Sequence, residues 1–175
     1  MISISNLSKH YGDVVAVDDL NLLIEPGEVF GFIGPNGAGK TTTIRVLVGL
    51  LKPTRGNAQI SSMDCWTDGA SLRNRIGYLP GDLYLYQKMT TRSLLRYFAR
   101  LRHTDTAAET DRLARQFDLD LDRPIGQLSK GNRQKAGLIQ ALAHCPDLLV
   151  LDEPTSGLDP LLQQEFLELI GHVRE

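Results

Sequence analysis

The feature that most constrains this chain is a glycine-rich loop, because its pattern fixes what must precede and follow it. Residues 34–41 read Gly-Pro-Asn-Gly-Ala-Gly-Lys-Thr and match the pattern G-x-x-x-x-G-K-[ST] in full. Directly before the loop, residues 29–33 form an apolar run that is typical of a strand buried on both faces. Residues 41–51 have the character of a helix that ends before Pro53. The sequence therefore predicts a strand, a loop and a helix in immediate succession.

A loop of this kind is suited to hold a chain of phosphates. Its glycines let consecutive N–H groups turn toward an anion, and the helix N-terminus adds a partial positive charge. Lys40 would offer a cation to the β- and γ-phosphate oxygens, and the Thr41 hydroxyl is placed to ligate Mg²⁺. A glycine-rich turn with an incidental lysine would not require the flanking strand and helix. The candidate nucleotide-binding residues of this segment are Gly34, Pro35, Asn36, Gly37, Ala38, Gly39, Lys40, Thr41 and Thr42.

A second candidate site follows the apolar residues 148–151, which end in Asp152 and Glu153. Carboxylates at the carboxyl end of a parallel strand lie on the ligand side of an α/β sheet. Asp152 would hold Mg²⁺ directly or through a water, and Glu153 would polarise the water that attacks the γ-phosphate. Two acids after an apolar run are common by chance, so the pair gains its meaning from the phosphate loop. Glu153 and Lys40 are the candidate catalytic residues.

The order of elements predicts an α/β fold with a largely parallel core sheet. The first thirty residues alternate like short strands and form an N-terminal β region. Leu94 and Phe98 recur at helical spacing, and residues 106–109 are typical of a capping box that opens a second helix. These helices form an insertion. We predict one domain, with a β region and phosphate-loop core over 1–80, a helical subdomain over 83–135, and the acidic strand with a final helix over 136–175.

Composition excludes several classes of protein. A net charge of −2 gives no overall attraction to nucleic acid or anionic lipid. No apolar stretch reaches the ~18 residues of a membrane-spanning helix, and the N-terminus lacks the pattern of a secretion signal. Cys65 and Cys145 lie far apart without a CxxC partner, as expected for reduced thiols. We expect a soluble protein without a nucleic-acid partner that reaches a membrane only through another protein.

Further motifs lie between and after the two sites. Residues 128–134 read Leu-Ser-Lys-Gly-Asn-Arg-Gln, and residues 152–159 read Asp-Glu-Pro-Thr-Ser-Gly-Leu-Asp. With the loop, they resemble the ABC ATPase family across the whole chain. The family signature is usually LSGGQ, from which Lys130 and Asn132 depart. This form, with Tyr-Leu-Pro-Gly-Asp over 78–82, is similar to the ATP-binding subunits of bacterial drug and antibiotic exporters. The resemblance implies a P-loop NTPase fold with ATP and Mg²⁺ as ligands.

The resemblance assigns roles residue by residue. Tyr11 matches the aromatic residue that stacks on adenine, with Val17 against the sugar, although a core tyrosine at a strand end is the alternative. Ser129 and Gly131 match residues that address the γ-phosphate bound to a second subunit, which implies a head-to-tail dimer, and we expect a homodimer. Ser129 also suits a helix N-cap, and the two roles are compatible. Asp159 matches the loop through which the two sites communicate.

One position departs from the family in a way that bears on the metal. A glutamine usually contacts Mg²⁺ and senses the membrane partner where this chain has Gly81, followed by Asp82. Asp82 can take over the metal contact, and a solvated turn aspartate is the alternative. Tyr84, Tyr86 and the helix after them would then form the surface that docks a polytopic membrane subunit. A plain amphipathic core face explains that helix equally well.

The family places a further histidine beyond one more strand, where it holds the γ-phosphate and the attacking water. His10, His103, His144 and His172 do not match that position. We therefore expect a C-terminally truncated domain, in which the two central strands each face an unfilled place in the sheet.

These observations favour one function over two alternatives. The leading hypothesis is an ATP-binding and ATP-hydrolysing subunit on the cytoplasmic face of a membrane, which energises export of a small molecule through a separate permease. One alternative is a truncated nucleotide-binding module without turnover. The other is a soluble ABC ATPase that acts outside transport.

Overall fold

The computed structural model describes residues 1–155 and 160–173, and the chain divides into two compact units between Ile76 and Gly77. The motif Ser-Gly-Leu-Asp over 156–159, with Asp159, lies outside the described residues.

The first unit is built on an antiparallel sheet. Its strands are β1 (Ile2–Tyr11), β2 (Val14–Ile24), β3 (Arg55–Ile60) and β4 (Met63–Asp64), in the spatial order β2-β1-β3-β4. Along β1 the alternation of isoleucine with serine buries one face of the strand, as a period of two requires. The unit also contains helix α1 (Lys40–Leu47) and the short helix α2 (Gly69–Leu72). The predicted N-terminal β region is confirmed, and so is the helix after the loop, although it ends at Leu47 and not at residue 51.

The predicted buried strand over residues 29–33 is wrong. The segment has no regular secondary structure, and the side chains of Val29 and Ile33 are 79% and 94% exposed. Within residues 1–155 and 160–173, no strand pairs with it. An apolar run favours burial, but a strand also needs a neighbour that accepts and donates its backbone hydrogen bonds. Residues 29–33 have the apolar side chains of a buried strand, but no strand in the described part of the chain pairs with them.

The second unit combines a pair of strands with helices. Strands β5 (Ile76–Leu79) and β6 (Leu148–Leu151) form a two-stranded parallel sheet. The helices are α3 (Thr91–Leu101), α4 (Ala107–Gln116), α5 (Lys130–Leu142) and α6 (Pro160–Val173), with a 3₁₀ turn at Ile125–Gln127. Buried leucines, isoleucines and Phe117 from the turn and from α3 to α5 form one core with Leu79 of β5. The helical insertion and the helix that begins at Pro160 are confirmed.

One of the two predicted helix caps is confirmed and the other is wrong. At the start of α5, Ser129 has extended backbone angles, and its hydroxyl oxygen accepts a hydrogen bond from the Asn132 N–H at 3.1 Å, so the predicted cap is confirmed. The capping box at α4 is wrong. Thr106 has ψ of 9°, outside the extended region that an N-cap needs, and its side chain makes no cap bond. The Asp105 carboxylate accepts from the Ala107 N–H instead, at 3.0 Å.

Helix α5 packs directly on β5 through two glycines. A β-carbon at Gly77 would collide with the carbonyl oxygen of Ala141. One at Gly137 would lie 2.8 Å from Leu79 Cδ1 and 2.6 Å from Leu83 Cδ2. The helix and the strand therefore touch almost backbone to backbone, which fixes the end of β5 and the segment after it. None of the helices in the described part of the chain has both the length and the apolar character that crossing a membrane requires.

Candidate nucleotide-binding site

The glycine-rich loop turns sharply into α1. Gly37 and Gly39 have φ of 84° and 83°, in the left-handed region that glycine adopts without strain. Gly39 is the N-cap of α1, and as a glycine it has no side chain with which to cap the helix. A β-carbon at Gly39 would also collide with the Ala16 carbonyl and lie 2.9 Å from Val17 Cγ2. The last turn of the loop thus packs on β2 beside Val17 and leaves the helix N-terminus for an anion.

The Lys40 side chain folds back across its own loop. Its ammonium donates hydrogen bonds to the carbonyl oxygens of Gly34 at 2.7 Å and Pro35 at 3.0 Å. The loop is therefore closed around a positive charge. Residues 35–38 are exposed, whereas Thr41 and Thr42 are half-buried in the first turn of α1. The loop residues predicted from sequence are brought together here as one concave, cationic turn.

Sequence reasoning missed Thr43, which holds the start of α1. Its hydroxyl donates to the Gly39 carbonyl at 3.0 Å, and the residue is buried. Residue type alone does not show that only the third of the three threonines after the lysine is buried. Helical spacing could have identified Thr43, since position 43 lies four residues after the N-cap glycine.

Tyr11 and Val17 lie on the paired strands β1 and β2. Val17 is opposite Lys9 in the register and is 9% exposed. Tyr11 is at the end of β1, and 47% of its surface is exposed, which excludes the alternative of a core tyrosine. Its ring is therefore available to a planar ligand. Lys9, which the sequence did not single out, places its ammonium over this ring.

In the second unit, the acidic pair follows β6 as predicted. Asp152 is buried, and its N–H donates to the Leu79 carbonyl at 2.9 Å, which extends the pairing of β6 with β5. Glu153 is exposed and has φ of 47°, a left-handed conformation that costs a non-glycine residue roughly 1–2 kcal/mol. The backbone thus reverses between the two carboxylates. One side chain is directed into the protein and the other is accessible to solvent.

Gly81 lies against the end of β6. A β-carbon at Gly81 would be 3.1 Å from the Asp152 carbonyl oxygen and 3.8 Å from its Cγ. The structure therefore places Gly81, in the segment after β5, next to Asp152. Asp82 itself is exposed, which leaves both the metal contact and the solvated turn open for this residue. Within the described part of the chain, no group of three or more His, Cys, Asp or Glu side chains is arranged to hold a metal ion.

The signature segment begins α5. Ser129 is exposed at the N-cap, while Gly131 is buried in the first turn. Because the Ser129 oxygen accepts the cap bond, its O–H remains to donate outward. The residue is therefore accessible to a second molecule.

A groove of about 260 Å³ lies beside the segment after β5. It is lined by Tyr78, Pro80, Leu83, Tyr86, Leu94 and Phe98, among others. Tyr84 is 91% exposed. Leu94 also belongs to the core. Helix α3 therefore fits both interpretations, as a core helix and as part of a docking surface, because one part packs inside and another borders the groove.

Comparison with known proteins identifies the family of this arrangement. The family model described as ABC transporter matches residues 17–156. The chain is 39% identical to the ABC transporter ATP-binding protein NatA of Bacillus subtilis (strain 168), over 99% of this chain and 75% of that protein. It is 37% identical to the bacitracin transport ATP-binding protein BcrA of Bacillus licheniformis, over 97% of this chain and 56% of that protein.

The fold agrees with a solved structure. An ATP-binding subunit of an ABC transporter superimposes with a TM-score of 0.85 at 32% identity, over 99% of this chain and 75% of the other. The P-loop NTPase fold is thereby confirmed. The chain spans about three quarters of NatA and of this structure, and a little over half of BcrA.

Proposed function

Because the chain belongs to the ABC transporter family of ATP-binding, ATP-hydrolysing subunits, we propose that it binds Mg-ATP and hydrolyses it to drive export of a small molecule. The observation that carries this proposal is the loop over 34–41, closed around the Lys40 ammonium at an uncapped helix N-terminus. Cationic, glycine-rich turns at such positions bind phosphate chains.

The first unit supplies the residues that hold the nucleotide. The loop N–H groups surround the β-phosphate, and Lys40 moves its ammonium from the loop carbonyls to the β- and γ-phosphate oxygens. The Thr41 hydroxyl would ligate Mg²⁺. Tyr11 stacks on the adenine, which its exposure at the end of β1 supports, and Val17 packs against the sugar.

The residues that follow β6 are the candidates for the hydrolytic step. Magnesium, when bound, neutralises charge on the β- and γ-phosphate oxygens. The Asp152 carboxylate is buried, as suits a metal ligand, and Asp82 is the further candidate. Glu153 accepts the proton of the water that attacks the γ-phosphorus, while ADP leaves with the bridging oxygen. The solvent exposure of Glu153 supports this role, since a base must reach a water.

Two partners complete the proposal. Ser129 and Gly131 address the γ-phosphate held by a second copy of this chain in a head-to-tail homodimer, which the exposure of the Ser129 hydroxyl supports. The groove next to Tyr84 and Tyr86 receives a polytopic permease on the cytoplasmic face of the membrane. No nucleic-acid partner is proposed, because the chain carries no excess of positive charge.

The proposal is tested by measuring Mg-ATP binding and steady-state phosphate release for the chain and three variants. Lys40→Ala should lose both binding and release. Glu153→Gln should retain binding while release falls by about 10²–10⁴-fold, the usual contribution of a positioned base. Lys88→Ala, which changes an exposed lysine outside the loop, is the matched control and should behave like the original chain. Undiminished release from Glu153→Gln would refute the assignment of the base. Binding without any release by the original chain would favour a module without turnover.

A further inference from the structure

The Lys9 side chain is held in place over the Tyr11 ring by a residue far away in the sequence. Its ammonium lies 5.2 Å from the centre of the ring. The same nitrogen donates a hydrogen bond to the Lys52 carbonyl oxygen at 2.9 Å. A lysine that merely extended into solvent would make neither contact. Two independent contacts therefore fix one ammonium at one face of one aromatic ring.

The surrounding structure shows which side of the ring is left for a ligand. Lys9 and Tyr11 are two residues apart on β1, and side chains at that spacing project to the same side of a strand. Lys9 is half-buried, whereas Tyr11 is 47% exposed. The ammonium already occupies one face of the ring. A planar ligand that stacks on Tyr11 without displacing the ammonium must therefore use the opposite face.

The anchor of the ammonium also connects it to the phosphate loop. Lys52 follows α1, the helix whose first residue is Lys40. Thr54, two residues further on, donates its N–H to the Ser8 carbonyl and accepts from the His10 N–H through its hydroxyl. The segment after α1 is thus bound to the end of β1. Lys9 is therefore held by the segment that follows the helix at the end of the loop.

We propose that Lys9 is a positioning residue for the nucleobase: its ammonium fixes the Tyr11 ring from one face so that a purine stacks on the other. The inference rests on the proposed binding of ATP. A cation at the face of an aromatic ring is attracted by the ring quadrupole. A ring already held in its bound orientation loses less conformational entropy when the base arrives. Both effects favour the base and leave the phosphates untouched.

An arrangement in which the ammonium blocks the purine predicts the opposite effect of substituting Lys9. If the ammonium occupied the place of the purine itself, a ligand would have to displace it and break its bond to the Lys52 carbonyl. Removing the charge would then tighten ATP binding. The sign of the change on substitution of Lys9 therefore separates the two arrangements.

The test measures the Kd of Mg-ATP and of inorganic tripolyphosphate with magnesium by calorimetry, on the full chain. Lys9→Met should weaken ATP binding by a factor of roughly two to five, the value expected of an exposed cation–π contact. Lys9→Gln, which can still donate to the Lys52 carbonyl but carries no charge, should do the same. Lys9→Arg should restore binding. The Kd of tripolyphosphate, which has no base, should not change in any of them.

Tyr11→Ala supplies the reference for this series. It should weaken ATP binding alone, and Lys9→Met should add nothing in its presence, because the lysine acts through the ring. Tighter ATP binding by Lys9→Met, equal losses for both ligands, or unchanged binding by Lys9→Gln would each overturn the inference. Full additivity of the two substitutions would also overturn it. If the original chain bound neither ligand, the proposed function itself would fail, which is distinct from ATP binding that ignores Lys9.

Discussion

Substitution of Gly77 by alanine should destabilise the chain more than the same substitution at Gly137, although both glycines lie where α5 meets β5. At Gly77 the new methyl would collide with the Ala141 carbonyl oxygen and lie 3.0 Å from Pro146 Cγ. That carbonyl belongs to the α5 backbone and cannot move unless the helix moves. Overpacking of this kind costs roughly 1–3 kcal/mol. We expect a cost near the upper end of this range. It is reduced by ~0.5–1 kcal/mol, because alanine leaves the unfolded chain less conformational freedom to lose on folding than glycine does.

At Gly137 the same methyl would meet the ends of two leucine side chains, at 2.6 and 2.8 Å. Leucine methyls can rotate away, and alanine is favoured over glycine inside a helix by ~1 kcal/mol. The two effects nearly cancel, so the net cost should be ~0–1 kcal/mol. For a chain of this length 1 kcal/mol corresponds to about 2–4 °C in Tm. Gly77→Ala should therefore lower Tm by about 4–10 °C, and Gly137→Ala by no more than about 4 °C.

Thermal unfolding followed by far-UV circular dichroism measures both variants under one condition. Equal shifts in Tm, or a larger decrease in Tm for Gly137→Ala, would show that the backbone at this contact rearranges as easily as the leucine side chains do. The reasoning from close backbone packing would then be wrong.

Three further outcomes follow from the described contacts. Asp118 follows α4 and has φ of 48°. Its change to glycine should raise the free energy of unfolding by ~1 kcal/mol, whereas its change to alanine should not, as measured by urea titration. The hydrogen bond from Arg92 holds the pKa of Asp122 below its usual value, so the stability it contributes is present above about pH 4 and is lost as the pH falls further. Arg92→Met should accordingly be less stable than the original chain at pH 7 and indistinguishable from it in acid, where Tm against pH is the measurement; a constant difference at all pH values would contradict this. Burial raises the pKa of the Cys65 thiol to about 12, so a thiol reagent should label Cys145 alone in the native chain and both cysteines after unfolding; rapid labelling of two thiols in the native chain would refute the burial of Cys65.

Local patterns predicted those parts of the fold that depend on local physics. The alternating β region, the helices of the insertion and the cap at Ser129 each follow from side-chain periodicity or from one hydroxyl and the next turn. Thr106 shows the limit of such reasoning. Its sequence matches a capping box, but its backbone is not extended and its side chain makes no cap bond, and the neighbouring Asp105 accepts the hydrogen bond instead.

Pairing between distant segments was the part that could not be predicted. Residues 29–33 carry the apolar pattern of a strand, but whether a neighbour pairs with them is decided elsewhere in the chain. In the candidate site, the sequence identified the loop and both acids from their motif. It could not identify Lys9, because the carbonyl that fixes this lysine belongs to a residue 43 positions away.

The hydrogen bonds of Lys40 have a thermodynamic consequence for any phosphate ligand. The ammonium has three N–H donors and already gives one to each of the Gly34 and Pro35 carbonyls, so one donor is left for a phosphate unless a carbonyl is released. Each further bond to phosphate is an exchange of partners, and its enthalpy is the difference between a charged bond to phosphate and a charged bond to the backbone. A carbonyl that loses the ammonium must bond to water instead, and Pro35 is exposed. The affinity for a triphosphate is therefore set partly by how well water replaces the ammonium at these carbonyl oxygens.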